Sequence, residues 1–359
     1  MRLYIITGES SGDIHASNLV NELKKKNENL IIRGWGGDRL KAVGVDIVRH
    51  INETSFMGFN EVIKNIFRIQ KNISFCKKDI INFQPDAVIL VDYPGFNLKI
   101  AKFAKLSNIQ VFYYISPKVW AWNKSRISKI QKYVDHLLVI FPFEEDFYKA
   151  HNIKANYVGN PLLDEISNDE STLSYITKKP VIALLPGSRR QEIDKILPKM
   201  LSIVDNFNEY QFIIGCTNLF SKEYYESFIK DTDVVLVFNE TYGLLKQSEV
   251  ALVASGTATL EATFFKVPQV VCYKTNWITY SIAKIMLNIK YISLVNIILN
   301  KNVIKELIQS SLSKKNLIIE LNLVINQKDR ILRNYNKIIA LLNKKGASRN
   351  AAKYIIDSI

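Results

Sequence analysis

The stretch Gly8-Glu9-Ser10-Ser11-Gly12-Asp13 joins an apolar run, Leu3 to Thr7, to a helical pattern that begins near Ile14. A small-residue turn between strand and helix exposes backbone N–H groups at a helix N-terminus, which suits an anion such as phosphate. The same residues spell G-x-S-x-G, the sharp turn that presents a nucleophilic serine. Such a serine needs a histidine late in the chain, yet the four histidines, His15, His50, His136 and His151, all lie in the first half. It also needs oxyanion donors from an earlier strand, and Ser10 follows the first one. Glu9, Ser10 and Ser11 are therefore expected to cradle a phosphate or line a substrate, with a tight turn that serves helix packing alone as the other reading.

A second group is Asp92-Tyr93-Pro94-Gly95-Phe96-Asn97, after the apolar run Ala87–Val91. A carboxylate at the C-terminal end of a buried strand is well placed as a general base. Aromatic neighbours push its pKa upward, the direction such a base needs. An Asp before Pro-Gly also suits a turn cap, and the residues alone leave the two roles level.

The second half repeats the strand, small turn, helix pattern twice. In Leu185-Pro186-Gly187-Ser188-Arg189, the Arg189 guanidinium can grip phosphate oxygens as a fork at a helix start. In Ser255-Gly256-Thr257-Ala258-Thr259-Leu260-Glu261, the hydroxyls of Ser255 and Thr257 and the free amides suit a pyrophosphate, with Glu261 able to accept from a ribose diol. Plain N-terminal helix stabilisation accounts for Thr259 and Glu261 equally simply. Two such turns in one half, with the Gly8 turn in the other, suggest a nucleotide diphosphate lying in a cleft. There is no Walker A motif, and Asp231-Thr232-Asp233 precedes its strand instead of following one, so no metal and no cofactor are expected.

These groups need elements to carry them. Short Val/Ile/Leu runs alternate with helical patterns along the chain. Leu3–Thr7, Ile31–Gly34, Ala87–Val91, Val111–Ile115 and Leu137–Phe141 read as strands of the first half. Val181–Leu185, Phe212–Gly215, Val234–Phe238, Ala251–Ala254 and Gln269–Cys272 read as those of the second. Such runs indicate parallel strands buried on both faces, hence an α/β doubly wound architecture. The polar stretch Asp164 to Lys179 marks a boundary. Residues 1–165 and 166–344 are expected as two Rossmann-like halves facing across a cleft, with a helix near 345–359 packing back on the first. After Tyr291 the pattern reads as helical.

Composition fits a folded protein, at 359 residues with 48% hydrophobic and 23% charged residues. Three scattered cysteines argue against a disulfide framework and for a reducing compartment. No run approaches the apolar length that spans a bilayer, and the N-terminal run is too short for a signal peptide. A cytoplasmic location is expected. The net charge of +14 implies an anionic partner, which nucleic acid, an anionic membrane or a phosphorylated substrate would satisfy. Val62, Ile66, Ile69 and Ile73, with Ile63 and Phe67 beside them, form one helical stripe, and Lys64, Arg68 and Lys71 another. A helix packed on a sheet and a basic helix lying on lipid share this pattern.

In order along the chain, the Gly8 and Asp92 groups are joined by Met57-Gly58, Ser116-Pro117-Lys118-Val119-Trp120-Ala121-Trp122 and Gly159-Asn160-Pro161. The Arg189 and Ser255 groups and Ser293-Leu294-Val295-Asn296 complete the set. With this ordered set, from Gly8 to about Gln309, the chain resembles the lipid-A-disaccharide synthase family. The resemblance implies an inverting glycosyltransferase of GT-B fold. That enzyme joins UDP-2,3-diacylglucosamine to 2,3-diacylglucosamine 1-phosphate (lipid X), giving a β-1,6-linked disaccharide 1-phosphate and UDP.

By the same resemblance Asp92 is the base for the acceptor 6-hydroxyl. Arg189, Glu261 and Asn296 match residues tied to donor binding or activity, and Met57 joins the substrate-binding set. The Val62–Ile73 helix becomes a membrane-facing surface through Val62, Ile63, Ile66 and Ile69. The expected location is then the cytoplasmic face of the inner membrane, as a peripheral protein touching anionic lipid. No nucleic-acid partner is expected, because the Trp and Tyr residues sit in the motif blocks. A homo-oligomer is left open. Two departures stand out, Asn160 where a histidine is common and Val295 where a proline is usual.

Overall fold

The computed structural model describes residues 1–54, 66–119, 125–167, 169–230, 232–276, 280 and 290–359, with only the backbone of Thr54, Ile66 and Ser125. Met57, Val62, Ile63, Trp120 and Trp122 lie outside the described residues, as does the side chain of Ile66. The chain forms two compact units, one of Met1–Pro161 with Lys344–Ile359 and the other of Leu162–Asn343.

The first unit runs β1 (Arg2–Ile6), α1 (Ser10–Lys26), β2 (Ile31–Gly36), α2 (Asp38–Ala42), β3 (Asp46–His50), α3 (Ile51–Thr54), α4 (Ile66–Phe83), β4 (Ala87–Val91), α5 (Pro94–Leu106), β5 (Gln110–Tyr114), α6 (Ser125–Tyr133), β6 (His136–Val139), α7 (Pro142–Lys149) and β7 (Ala155–Tyr157). Its strands pair in parallel in the order β3-β2-β1-β4-β5-β6-β7. Alternate residues serve opposite faces. Tyr4, Ile6, Val88, Leu90 and Tyr113 enter one core cluster, while Leu3, Ile5, Ile89, Val91 and Phe112 enter the other. Burial on both faces explains why these strands are continuous apolar runs.

After β7, α8 (Pro161–Ser167) leads into the second unit. That unit runs β8 (Val181–Leu185), α9 (Arg190–Leu201), β9 (Gln211–Cys216), α10 (Lys222–Glu226), β10 (Val234–Phe238), α11 (Thr241–Gln247), β11 (Ser248–Ala254), α12 (Ala258–Phe264), β12 (Gln269–Tyr273), α13 (Leu294–Leu299), β13 (Glu306–Ile308), α14 (Lys314–Asn326) and α15 (Lys328–Leu341). Its sheet is again parallel, in the order β10-β9-β8-β11-β12-β13. Both units are thus Rossmann-like and doubly wound.

α16 (Ala347–Ser358) belongs to the first unit. It buries Ala351, Ala352 and Ile355 in the cluster that also holds Ala16, Leu19, Val20 and Leu23 of α1. Gly346, at φ +76°, turns the chain into it, and Gln110 Nε2 donates to the Ser358 carbonyl at 3.1 Å. The stretch after Tyr291 is not purely helical, since β13 pairs with β12.

α4 corrects one expectation. Ile69 packs against the core cluster with Ile73, Cys76, Ile80 and Phe83, so it faces the sheet and not lipid. The opposite face carries Arg68, Lys71, Phe75 and Lys78, spaced i, i+3, i+7 and i+10.

Candidate active site

In each sheet, chain order reverses between two neighbouring strands, β1 and β4 in the first unit and β8 and β11 in the second. Ligands of open α/β sheets bind outside the carboxyl ends of the strands at such a point. The turns after these four strands carry the candidate residues.

In the first unit, Gly8 leads from β1 into α1. A Cβ on Gly8 would meet the Tyr93 ring at 2.4 Å, so only glycine lets the turns after β1 and β4 touch. Glu9 caps α1 in extended conformation without a side-chain bond to the helix, half-buried, while Ser10 and Ser11 are exposed. Asp13 has a structural task. Its carboxylate accepts from the amides of Gly37 at 2.7 Å and Arg39 at 3.0 Å, which closes the start of α2.

The turn after β4 is strained. Asp92 and Tyr93 both have positive φ, 46° and 48°, in residues for which this costs on the order of 1 kcal/mol or more each. Two side chains hold it there by gripping the Asp92 carbonyl. Asn97 Nδ2 donates to it at 2.7 Å and the Tyr113 hydroxyl at 2.6 Å. Asn97 is fully buried at the first turns of α5, and Tyr113 lies on the adjoining strand β5. The half-buried Asp92 carboxylate lies near enough to Glu9 of the Gly8 turn to feel its charge. Burial pushes its pKa up, the nearby Glu9 carboxylate adds to this, and Lys118 and His15 pull the other way. Lys118 follows Ser116, whose hydroxyl donates to Glu144 at 2.9 Å, and Pro117, whose carbonyl accepts from Tyr148 at 3.3 Å.

In the second unit, Gly187 at φ +106° follows β8, and a Cβ there would strike Glu192 at 2.5 Å. Arg189 is the residue just before α9, and among the described residues its side chain makes a 3.4 Å ion pair with Glu192. A guanidinium held this loosely is available to a stronger anion. Tyr273, at the end of β12, lies close enough to feel both charges, Glu192 raising its pKa and Arg189 lowering it.

The turn after β11 presents exposed Gly256 and Thr257 at the head of α12, and nothing lies within 4 Å of the Cβ position of Gly256. Ser255 differs from expectation, because its hydroxyl donates to the Ile292 carbonyl at 3.1 Å and offers a ligand only lone pairs. Thr259 is buried, with its hydroxyl on the Gly256 carbonyl at 2.8 Å. Glu261, one turn into α12, has its pKa raised to about 7 by burial and by the neighbouring Glu165 carboxylate of α8.

Asn296 is not a surface contact residue. It is fully buried, its amide donates to the Ile304 carbonyl and Glu306 Oε1 at 2.9 Å each, and its oxygen accepts from Val303 and Ile304. Every hydrogen-bonding valence is spent on bracing the segment before β13, so its role is to position backbone. Glu306 completes that brace by accepting from Ser293 N at 2.9 Å and Oγ at 2.7 Å.

Among the described residues there is no cluster of three His, Cys, Asp or Glu side chains able to hold a metal. Asn97, Tyr113, Glu165, Glu306 and Tyr273 were not among the expected site residues. Asn97 stands in the motif block that holds Asp92, where its type alone does not reveal its grip on the Asp92 carbonyl; the other four act through partners ten or more residues away, which leaves no local motif.

The family model for lipid-A-disaccharide synthetase matches residues 3–358 of this chain. The chain belongs to the lipid-A-disaccharide synthase family. It is 37% identical over 339 residues to the lipid-A-disaccharide synthase of Syntrophus aciditrophicus, covering 91% of this chain and 88% of that protein. Among solved structures it resembles the glycotransferase of kitacinnamycin, at TM-score 0.70 and 10% identity over 100% of this chain and 99% of that one. It also resembles UDP-GlcNAc 2-epimerase from Neisseria meningitidis, at TM-score 0.65 and 15% identity over 100% and 99%. The two structural likenesses speak for the fold alone, while the sequence match makes the chain a glycosyltransferase of the lipid-A-disaccharide synthase family.

Both departures from the family pattern are accommodated. Val295 is buried in the first turn of α13, where a backbone N–H has no acceptor within the helix and valine and proline both fit. Asn160 is buried beside α8 and its amide donates to the Ile140 carbonyl at 3.3 Å.

Proposed function

We propose that this chain transfers 2,3-diacylglucosamine from UDP to the 6-hydroxyl of 2,3-diacylglucosamine 1-phosphate, forming the β-1,6 disaccharide 1-phosphate and UDP. The observation that carries the reading is the Asp92 carboxylate, raised in pKa and held by a strained, doubly anchored turn at the point where strand order reverses. In this reading Asp92 takes the proton of the acceptor hydroxyl as its oxygen attacks the anomeric carbon. The bond from that carbon to the UDP oxygen breaks, and the configuration inverts.

Charge develops on the departing diphosphate, and preorganised cations and amides stabilise such charge without reorganising. Arg189 and the open head of α12 at Gly256 and Thr257 take this part. Glu261 accepts from the ribose, and Asn296 acts through the backbone it braces. Glu9, Ser10 and Ser11 take the acceptor side, and Met57 is proposed as a substrate-binding residue from the family resemblance alone. The reading needs no metal ion.

Acylated substrates reside in a membrane, so the protein is proposed to work as a peripheral one on the cytoplasmic face of the inner membrane. No helix among the described residues is long and apolar enough to cross a bilayer. Phe67, 83% exposed at the start of α4, together with the basic face of that helix, supports contact with anionic lipid.

The test is an assay of the purified protein with UDP-2,3-diacylglucosamine and lipid X, beside Asp92→Asn and Arg189→Ala. Disaccharide and UDP are expected in equal amounts from the wild type. Asp92→Asn is expected to lose on the order of 10²–10⁴-fold in kcat. A wild type inactive on this pair would overturn the substrate assignment, and a fully active Asp92→Asn would remove the base.

A further inference from the structure

A cavity of about 470 Å³ lies between the end of β3 with α3 and the outward face of α4, apart from the turns described above. Its walls include Arg49, Arg68, Lys71 and Lys78, with Glu53 and Phe75. Among the described residues, four cations thus converge on one space against a single carboxylate. Like charges brought together repel, and an anion among them relieves that repulsion.

Two of the cations are already placed. The Arg49 guanidinium lies 4.8 Å from the Phe75 ring centre, and its Nη1 donates to Glu53 Oε2 at 2.8 Å. Arg68 Nη2 donates to the Glu53 backbone carbonyl at 3.1 Å. The Arg49 Nε–H is out of solvent, yet it has no hydrogen-bond partner among the described residues. An unused donor on a fixed guanidinium costs free energy until something accepts from it. A planar guanidinium fork matches phosphate oxygens, lysines add point charges, and a ring wall suits the carbon body that a phosphate is attached to.

We propose that this cavity is a phosphate-binding site, taking the phosphate of a small phosphorylated compound or of a lipid headgroup. The site is separate from the diphosphate grip at Arg189 and does not depend on the reaction assigned to Asp92. Arg49 and Arg68 hold the phosphate oxygens and Lys71 and Lys78 close the charge around them.

The test uses the full chain carrying Arg189→Ala, so that the turn after β8 contributes little. Inorganic pyrophosphate is titrated by calorimetry at low salt. In a second arm, flotation is measured with phosphatidylcholine vesicles with and without phosphatidylglycerol. Lys71→Glu/Lys78→Glu is compared with Lys230→Glu/Lys337→Glu, an equal charge change on exposed lysines of the second unit, and with the charge-keeping Lys71→Arg/Lys78→Arg.

The expected result is binding at least about tenfold weaker in Lys71→Glu/Lys78→Glu only, with the other two variants like their parent. Loss in the pyrophosphate arm identifies a free phosphate compound as the source, and loss confined to phosphatidylglycerol flotation identifies a headgroup. Equal behaviour of the two charge-reversed proteins, or no binding by their parent in either arm, would overturn the proposal. So would equal loss in the arginine variant, which keeps the charge and so separates a binding defect from a folding one.

Discussion

The Tyr113 hydroxyl donates a 2.6 Å hydrogen bond to the backbone carbonyl of Asp92, reaching it from the neighbouring strand β5. Burial holds the Tyr113 phenol far above its usual pKa, so it remains a donor throughout the working range of the protein. With Asn97 it fixes a pair of left-handed residues that the sequence would not adopt unaided. The orientation of the proposed base is thus set by two side chains that never meet a substrate.

Tyr113→Phe removes one of two donors to that carbonyl and leaves the shape of the core unchanged. The missing bond is worth about 1 kcal/mol, so kcat is expected to fall several-fold to tenfold with little change in KM. Asn97→Ala, which also loses bonds near Val91 and Ile6, is expected to lower both kcat and the melting temperature further. Initial rates and thermal melts on both variants check this. Unchanged kcat in both would show that the turn holds its strain by other means.

The acid side of the activity profile follows from the Asp92 pKa. A base must be deprotonated, and Asp92 is raised by burial and by Glu9, so the acid limb is expected above the ordinary aspartate value of about 3.9. Glu9→Gln removes a like charge and moves the limb of kcat to lower pH. A pH series on wild type and Glu9→Gln measures the shift, and a limb displaced upward by Glu9→Gln would contradict the arrangement.

Glu261 makes stability depend on pH. Its folded pKa is about 7, against an ordinary value of about 4.3, so the folded state binds the proton more tightly. The contribution is fully present below about pH 4 and is lost as pH rises through about 7. Glu261→Gln is therefore expected to stabilise the protein above neutrality, on the order of 2–3 kcal/mol, with the gain fading toward pH 4. Denaturant melts at both ends of this range decide it, and a gain independent of pH would assign the effect to something other than titration.

Gly8 and Gly95 offer a matched pair. A methyl group on Gly8 would overlap the Tyr93 ring, whereas at Gly95 nothing lies within 4 Å. Gly8→Ala is expected to destabilise by about 1–3 kcal/mol and to displace the Asp92 turn with loss of activity. Gly95→Ala lies in a helix and is expected to be neutral or slightly stabilising. Comparing melts and rates of the two variants measures how much the site depends on the close approach of its two turns.

The central strands of both sheets are plain in the sequence because they are buried on both faces and read as unbroken apolar runs. The strands that went unrecognised, Asp46–His50, Ala155–Tyr157 and Glu306–Ile308, are all edge strands. They are short and half-covered, and their mixed residues give no periodic signal. The same division holds at the site. Turns such as Gly187–Arg189 and Ser255–Glu261 announce themselves because a strand, small residues and a helix follow one another locally. The grip of Tyr113 on Asp92 and the pressure of Glu165 on Glu261 join residues far apart in sequence, where no local pattern records them. Asn296 and Ser255 were legible as special residues but not as braces, since a buried amide and a binding amide are spelled alike.

The apolar face of α1 formed by Ala16, Leu19, Val20 and Leu23 is covered by Ala351, Ala352 and Ile355, with the whole second unit encoded between them. Loop-closure entropy grows only with the logarithm of separation, so the finished protein loses little by this arrangement. A chain emerging from the ribosome at about 5–20 residues per second meets a different problem. For on the order of ten seconds or longer the earliest helix is displayed with its sticky side bare, while a self-sufficient neighbour is made and folds ahead of it. The first unit is completed only after the second has been made, which makes the nascent chain, and not the finished enzyme, the form most in need of chaperone protection.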